Sequence, residues 1–184
     1  MKLIILDRDG VINYESDKFI KSADEWDPLP NSLEAIANLT QLGYKIVICT
    51  NQSGIGRGIF SIEDLNSIHE KMHKMVKLAG GEISAIFFCP HVSENKCLCR
   101  KPKSGMIYDI CERFNLEDAN NIIMVGDSKR DLLAIYGAGG IPVLVKTGNG
   151  KRTLNEGEIP IGTLVFEDLL AVSEYLMTKE HNEK

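Results

Sequence analysis

The chain has 184 residues, of which 43% are hydrophobic, and carries a formal net charge of −5 at pH 7. This length is enough for one hydrophobic core but not for two full domains, so we expect a single domain over residues 1–184. The acidic balance disfavours a nucleic-acid partner, whose phosphates need a basic surface. Asp7 interrupts the first apolar run, and no other run reaches membrane-spanning length. We therefore expect a soluble, cytoplasmic protein with no membrane partner.

Five short runs of apolar and β-branched residues predict strands, at 3–6, 45–49, 83–88, 122–125 and 141–145. Segments with helical periodicity lie between and after them, at 32–42, 61–78, 105–114, 129–136 and 167–177. This alternation predicts an α/β fold, a Rossmann-like parallel sheet with helices on both faces. We expect a surface loop at 149–162 and a flexible tail from about 179 to 184.

Polar residues follow the first four predicted strands. They are Asp7, Thr50-Asn51, Cys89-Pro90-His91 and Gly126-Asp127. In open parallel sheets, ligands bind outside the carboxyl ends of the strands, near the point where the strand order reverses. A purely structural role would not require polar groups at all four ends, so we expect these residues to converge on one site.

Asp7 and Asp9 are two residues apart, so both carboxylates project to the same side of an extended chain. Two carboxylates about 4 Å apart repel by roughly 4 kcal/mol at an effective dielectric near 20, so the pair needs a cation or a shared proton. In phosphoryl transfer, a metal at Asp7 screens the attacking carboxylate, and a protonated Asp9 protonates the leaving oxygen. The alternative is a pair of solvated turn aspartates.

The segment 50–58 contains three glycines among hydroxyl and amide side chains. Its backbone can approach an anion closely, and Thr50 is placed to bind a phosphoryl oxygen. Arg57 is either a clamp for a substrate phosphate or a solvated surface charge. The alternative for the whole segment is a mobile glycine-rich loop.

Two later segments carry charges that suit the same chemistry. Lys101, just before a predicted helix, can neutralise charge on a transferring phosphoryl group, although basic clusters in loops are usually solvated. Asp127 and Asp131 suit one metal if Asp127 binds it directly and Asp131 supports it from the next helical turn. Alternatively, Asp127 caps the helix.

Together these segments resemble the four motifs of the haloacid dehalogenase-like phosphatases. The matching segments are Asp7-Arg8-Asp9-Gly10-Val11-Ile12-Asn13, Thr50-Asn51-Gln52-Ser53-Gly54, Arg100-Lys101-Pro102 and Gly126-Asp127-Ser128 through Asp131. The resemblance extends to about residue 153. It implies a magnesium-dependent phosphatase with a covalent phospho-aspartate intermediate.

The resemblance also implies a role for each matching residue. Asp7 would be the nucleophile and Asp9 the general acid and then the general base, while Thr50 and Lys101 would bind the phosphoryl group. Magnesium would be held by Asp7, the backbone carbonyl of Asp9 and Asp127. Members of the family that cleave carbon–halogen bonds lack the second aspartate, so Asp9 favours ester hydrolysis.

A cluster of cysteines follows the third predicted strand, as Cys89-Pro90-His91 and Cys97-Leu98-Cys99. Three thiols and an imidazole fit a closed tetrahedral zinc site with no open position for chemistry, so zinc would fix the loop 89–103. The alternative is idle cysteines beside a surface histidine. Cys49 and Cys111 lie alone in apolar patterns and are expected in the core.

The zinc loop lies where many relatives insert a cap domain, and no insertion of that size exists here, so we expect an open site. The pattern resembles the capless, zinc-loop branch of the family that acts on heptose bisphosphates in lipopolysaccharide-heptose synthesis and on histidinol phosphate. This resemblance implies substrate contacts from 15–18 and from 50–53, with Arg57 and Arg100 available for a second phosphate. The residues concerned are Asp17, Thr50, Asn51, Gln52, Ser53, Arg57, Arg100 and Lys101.

Ser128 stands where some heptose enzymes carry lysine, so Lys129 and Arg130 are candidates for that contact. Segment 14–18 also lacks the Gly-Tyr-Val character of some members. We expect a monomer that hydrolyses the C7 phosphate of a heptose bisphosphate, and the anomer stays open. The alternatives are a histidinol-phosphate phosphatase, a nucleic-acid end phosphatase and a catalytically silent metabolite-binding or zinc-scaffold protein. A silent protein has no need for both Asp7 and Asp9.

Overall fold

The structure is a computed structural model that describes residues 1–182. Six strands form its centre: β1 (Leu3–Leu6), β2 (Lys45–Asn51), β3 (Ala85–Cys89), β4 (Ile123–Gly126), β5 (Ile141–Val145) and β6 (Leu164–Phe166). They pair in parallel in the order β3-β2-β1-β4-β5-β6. The chain moves from β1 toward one edge and returns at β4 toward the other, so the strand order reverses between β1 and β4.

Seven α-helices connect and cover these strands. They are α1 (Ser32–Gln41), α2 (Ser53–Gly56), α3 (Ile62–Leu78), α4 (Gly105–Arg113), α5 (Lys129–Gly137), α6 (Gly150–Glu156) and α7 (Leu169–Asn182). Between β2 and β4 the described chain holds helices, one strand and the cysteine segment, with no further folded domain. No helix among residues 1–182 is long and apolar enough to cross a membrane.

The strands are apolar along their whole length because both faces of the sheet are covered. Ile4 and Leu6 of β1 join a core with buried residues of α1, α3 and α7, and Trp26 completes this core. Leu3 and Ile5 point to the other face and pack with buried residues of α4 and α5. The two-residue alternation along β1 thus supplies two separate cores, and the predicted α/β fold is confirmed.

The predicted surface loop at 149–162 is wrong in its first half, where α6 forms. Thr153 is buried and donates a hydrogen bond to the backbone carbonyl of Asp127 at 2.9 Å. Gly150 approaches the carbonyl of Val145 so closely that an added Cβ would lie 1.7 Å from that oxygen. These tertiary contacts outweigh a composition that is typical of loops.

Residues 179–182 of the predicted flexible tail continue α7, and its last two positions lie outside the described residues. Lys2 Nζ contacts Glu180 Oε1 at 2.6 Å, so an ion pair ties the end of this helix to the beginning of β1. The strand β6 was not predicted. It has three residues at a sheet edge, too few for a recognisable pattern.

Candidate active site

A cavity of about 580 Å³, including its open mouth, lies at the carboxyl ends of β1 and β2 beside the start of α5. Parallel sheets place ligands at such a point of strand-order reversal. The predicted convergence of polar residues is found here for Asp7 and Thr50, joined by Arg100. The full lining consists of Asp7, Asp9, Glu15, Ser16, Phe19, Ile20, Thr50, Asn51, Gln52, Ser53, Arg100 and Arg130.

Three buried carboxylates meet at Asp7, which lines this cavity. Asp7, Asp127 and Asp131 each place a carboxylate oxygen within 4.8 Å of the others. Burial, with the added charge of Asp131, raises the pKa of Asp7 to about 7 and that of Asp127 to about 9. Among the described residues, Asp127 Oδ1 has no hydrogen-bond partner. Negative charge is therefore in excess at this point, and the cluster requires a cation.

Lys101 supplies part of that positive charge and is itself buried. Its Nζ lies 3.0 Å from Asp7 Oδ1 and 2.6 Å from Asp131 Oδ1, and it donates to the carbonyl of Cys49 at 2.7 Å. Burial favours the neutral amine, but the two carboxylates outweigh it and raise the pKa of Lys101. Asp131 pairs with the Lys101 ammonium and keeps it beside Asp7. Asp7 and Asp127 are then the carboxylates that are available to bind a metal ion.

The donors around Asp7 and Asp127 suit a hard divalent cation such as Mg²⁺, which prefers carboxylate and carbonyl oxygens. The backbone amide of Asn149 donates to Asp127 Oδ2 at 2.7 Å and so fixes this carboxylate. Gly10 and Gly148 both approach the same oxygen, and a Cβ on either would lie 2.1 or 2.2 Å from it. The fold therefore keeps room around Asp127 by placing glycine at both positions.

Asp9 is held from the protein side by three other side chains. Arg8 Nη2 donates to both carboxylate oxygens at 3.0 Å, Asn13 donates to Oδ1 at 2.8 Å, and Gln52 donates to Oδ2 at 2.9 Å. Burial raises the pKa of Asp9, but the Arg8 guanidinium and these hydrogen bonds outweigh burial and lower it. These contacts therefore favour the ionised form of Asp9.

The segment after β2 provides one wall of the cavity and also fixes Lys101. The Asn51 amide accepts from the backbone N–H of Lys101 at 3.1 Å and donates to its carbonyl at 3.0 Å. Gln52 Nε2 also donates to Thr50 Oγ1 at 2.9 Å. Ser53 begins α2 at the same wall.

The four predicted zinc ligands form one cluster at the end of β3. Cys89 Sγ lies 3.7 Å from Cys97 Sγ and 3.4 Å from Cys99 Sγ, while His91 Nδ1 lies 3.6 and 3.3 Å from Cys89 and Cys99 Sγ. A disulfide would need about 2.05 Å. Four ligands about 2.3 Å from one zinc ion have edges of about 3.8 Å. The cluster therefore has the dimensions of a tetrahedral metal site.

This cysteine loop also positions Arg100. Arg100 Nη1 donates to the carbonyl of His91 at 3.2 Å, and the guanidinium lines the cavity. Lys103 Nζ donates to the carbonyl of Cys97 at 2.6 Å, and this hydrogen bond stabilises the same loop. A metal bound by the loop would thus fix one positive charge at the cavity wall.

Two predicted substrate contacts lie away from this cavity. Arg57 is exposed and is not among the lining residues, and Asp17 is exposed beside a neighbouring groove. Lys129 points outward and pairs with Glu158 at 2.6 Å, whereas Arg130 lines the cavity. Arg130 Nη2 lies 3.8 Å from Glu15 Oε1.

Several residues of the site were missed by sequence reasoning. Arg8 and Asn13 hold Asp9, Asn149 holds Asp127, and Thr147 Oγ1 donates to the carbonyl of Gly10 at 2.7 Å. In the sequence, Arg8 has the signature of a solvated turn residue, and nothing local marks Thr147 or Asn149. The contacts of Thr147 and Asn149 depend on the approach of the β5–α6 connection to Gly10 and to Asp127.

Comparisons with known proteins place these features in a family. The family model described as polynucleotide kinase 3 phosphatase matches residues 2–137. A D-glycero-beta-D-manno-heptose-1,7-bisphosphate 7-phosphatase of Neisseria meningitidis serogroup A is 55% identical over 179 residues, which are 96% of this chain and 95% of that protein. The protein of the same name from Pseudomonas putida is 48% identical and is covered over its whole length.

Comparison with solved structures also finds similar phosphatases. The crystal structure of D,D-heptose 1,7-bisphosphate phosphatase from Bordetella bronchiseptica, complexed with magnesium and phosphate, has a TM-score of 0.95 at 54% identity. It covers 97% of this chain and 99% of that one. A haloacid dehalogenase-like phosphatase from Mesorhizobium loti has a TM-score of 0.76 at 27% identity and covers 96% and 87% of the two chains.

We expect Gly10→Ala to displace the carboxylate of Asp127 and weaken Mg²⁺ binding by roughly tenfold or more. Gly43→Ala is a matched control, because Gly43 has nearly the same φ (+81° against +82°) but no atom within 4 Å of an added Cβ. Both variants should lose about 1–2 kcal/mol of unfolding free energy from backbone strain. Titration calorimetry with MgCl₂ and urea unfolding measure the two effects, and equal Mg²⁺ affinities would contradict the argument.

His69 should make the stability of the protein depend on pH. Burial, with the charge of Arg8, lowers its pKa to about 3, so the unfolded chain binds a proton near pH 6.5 that the folded chain does not. Unfolding free energy is therefore lost as the pH falls below about 6.5. From pH 7.5 to 5.0, wild type should lose up to about 2 kcal/mol more than His69→Gln. Urea unfolding at both pH values tests this, with exposed His181→Gln as control.

Proposed function

The chain belongs to the haloacid dehalogenase-like phosphatases, in the family of the heptose-1,7-bisphosphate 7-phosphatases, and we propose that it removes the C7 phosphate of D-glycero-beta-D-manno-heptose 1,7-bisphosphate. The reaction would pass through a phospho-aspartate on Asp7. The observation that carries this proposal is the buried Asp7 carboxylate, 3.0 Å from Lys101 Nζ in a cavity that Asp9 also lines. A silent binding protein would gain nothing from that costly arrangement.

Asp7, Asp127 and the backbone carbonyl of Asp9 would hold Mg²⁺. When bound, the ion supplies positive charge to the nucleophile and to the phosphoryl oxygens. Lys101 adds an ammonium at the same place, and Thr50 offers a hydroxyl to a phosphoryl oxygen. The Arg8 amide donates to Asp7 Oδ1 at 2.8 Å, which together with Lys101 fixes the rotation of the nucleophile.

In the first step, an Asp7 carboxylate oxygen attacks phosphorus, and the bond from phosphorus to the C7 oxygen breaks. Asp9 gives its proton to that oxygen, so the sugar leaves as an alcohol. In the second step, water attacks phosphorus, Asp9 takes the water proton, and inorganic phosphate leaves with Asp7 restored. Arg8 and the amide donors lower the pKa of Asp9, and an arriving phosphate dianion would raise it, because like charges favour the protonated carboxyl group.

The distal part of the substrate would bind toward Arg100 and Arg130, which both line the cavity. Two guanidinium groups there suit the second phosphate of a bisphosphate, since arginine binds phosphate through paired hydrogen bonds. Zinc in the cysteine loop would hold Arg100 in place through the His91 carbonyl. Arg57 and Asp17 would contribute only if the substrate extends beyond this cavity.

The remaining expectations fit this assignment. We propose a single cytoplasmic domain that acts as a monomer, in ADP-heptose and lipopolysaccharide core synthesis, because free thiolates persist in a reducing compartment. The net charge of −5 gives no support to a nucleic-acid substrate, although the matching family model is described by a polynucleotide phosphatase.

We expect Asp7→Asn to lower kcat by about 10⁴-fold or more, because an amide is a poor nucleophile. The fold should persist, since the amide still fits beside Lys101. Release of inorganic phosphate and thermal unfolding measure the two properties, and exposed Asp24→Asn is the control for the same chemical change. An Asp7→Asn enzyme that keeps a tenth of wild-type activity would exclude a phospho-aspartate at this position.

A substrate panel tests the assignment of the sugar. It contains both anomers of heptose 1,7-bisphosphate, fructose 1,6-bisphosphate, histidinol phosphate and a 3′-phosphorylated oligonucleotide. We expect the highest kcat/KM for the β-anomer, which the names of the relatives specify. A preference for histidinol phosphate or for the oligonucleotide would replace the proposed substrate while leaving the phosphatase chemistry intact.

Loss of zinc should weaken substrate binding more than it slows turnover. Cys99→Ser removes one ligand and frees Arg100, so we expect zinc content to fall and KM for the bisphosphate to rise about tenfold, with kcat changed less. Cys111→Ser is the control, because Cys111 is a buried cysteine outside the cluster. Metal analysis measures the zinc content, and steady-state kinetics measure KM and kcat. An unchanged KM in zinc-free enzyme would show that the cysteine loop does not contribute to substrate binding.

A further inference from the structure

Arg8 lies between the two aspartates of the β1 loop and is completely buried. Burial of an arginine is costly unless every part of its guanidinium is paired. The guanidinium nitrogens Nε and Nη2 of Arg8 donate to the Asp9 carboxylate at 3.0–3.1 Å. In the proposed reaction, Arg8 does not contact the substrate. The energetic cost of burying this arginine therefore indicates another role.

The remaining nitrogen of the fork contacts His69, which projects from α3. Arg8 Nη1 lies 3.4 Å from His69 Nε2, and the His69 ring packs edge-on against Phe88 with ring centroids 6.4 Å apart. Arginine has no acceptor, so Nη1 donates and His69 Nε2 accepts. His69 is therefore neutral, with its proton on Nδ1. It holds the guanidinium through Nη1, the nitrogen that does not contact Asp9.

Two-point pairing fixes the plane of the Asp9 carboxylate. The last torsion of aspartate is broad, so a carboxylate held through one oxygen can turn about it. Arg8 donates to both oxygens, while Asn13 and Gln52 each hold one. The carboxylate thus keeps one edge toward the cavity, where its side chain is 21% exposed.

We propose that Arg8 and His69 form a positioning pair that orients Asp9 for proton transfer to the leaving oxygen. Arg8 is the positioning residue, and His69 fixes Arg8 from the far side. The proposal rests on the proposed role of Asp9 as general acid. It predicts that loss of the pair damages catalysis only where the leaving group needs a proton.

Substrates whose leaving groups differ in their need for a proton distinguish this positioning role from a purely structural one. A sugar alkoxide needs a proton as it departs, whereas 2,4-dinitrophenolate departs without one. The ratio kcat/KM reports the steps up to departure of the leaving group, so it does not include hydrolysis of the phospho-aspartate by water. The test therefore compares kcat/KM for heptose 1,7-bisphosphate with kcat/KM for 2,4-dinitrophenyl phosphate.

We expect Arg8→Met to lower kcat/KM for the sugar phosphate by about 10²-fold or more, which is the usual worth of general acid catalysis. The loss with 2,4-dinitrophenyl phosphate should stay below about threefold. Arg8→Lys, which keeps the charge but not the fork, should fall between wild type and Arg8→Met. Exposed Arg113→Met is the control for the same change elsewhere.

The His69 variants test the second member of the pair. His69→Leu removes the acceptor and should lower kcat/KM for the sugar phosphate by about tenfold, again with little effect on 2,4-dinitrophenyl phosphate. His69→Gln keeps an acceptor and should restore most of the activity. If Arg8→Met does not fold, these two variants carry the test alone, because they leave Arg8 and Asp9 in place.

Asp9→Asn separates a failure of this proposal from a failure of the proposed function. Asp9→Asn alone should show the leaving-group dependence, and without it Asp9 is not the acid. In the Asp9→Asn background, Arg8→Met should cause no further loss, because both changes remove the same proton transfer. Equal losses of Arg8→Met with both substrates, or an additive loss in the double variant, would overturn the positioning role.

Discussion

The site depends on one buried ion pair network, in which Lys101 Nζ lies 3.0 Å from Asp7 and 2.6 Å from Asp131. These three residues come from the ends of β1, the cysteine loop and α5, so the ammonium joins three separate segments. Without it, the carboxylates would repel one another inside the protein, where their charges are poorly screened. The other contacts of the site serve mainly to keep this network in place. Asn51 holds the backbone of Lys101, and the Cys49 carbonyl accepts a hydrogen bond from the ammonium.

Different surroundings give the two aspartates of the β1 loop opposite properties. Burial and the neighbouring Asp131 raise the pKa of Asp7, whereas Arg8 and the amide donors outweigh burial and lower the pKa of Asp9. Neighbouring carboxylates with divergent environments are typical of enzymes that divide nucleophilic and proton-transfer roles between two acids. In the proposed mechanism, a cation at Asp7 would offset the negative charge around this carboxylate, and a phosphate dianion beside Asp9 would raise the pKa of Asp9.

The sequence predicted the central part of this arrangement because that part follows from local pattern. Apolar runs located five strands, and the polar residues after them located Asp7, Thr50 and Asp127 at one sheet edge. The rest depends on contacts between distant segments. α6 forms because Thr153 and Gly150 pack against β4 and β5 neighbours, and Arg8 is buried because His69 of α3 and Asp9 pair with it. A single sequence contains no local sign of such contacts, so its composition pointed to a loop at 149–162 and gave no indication that Arg8 is buried.

The two halves of the cavity differ in how firmly the fold holds them. Groups that would meet the transferring phosphoryl group stand at strand ends and are buried, so they move only if the sheet moves. Groups that would meet the rest of the substrate, such as Arg100 and Arg130, stand on the cysteine loop and the first turn of α5 and face solvent on one side. Because no cap domain covers them, the loop itself must limit their freedom. The tetrahedral Cys89–Cys99 cluster and the Arg100–His91 hydrogen bond provide that restraint, so substrate preference can change with this loop while the phosphoryl chemistry stays fixed.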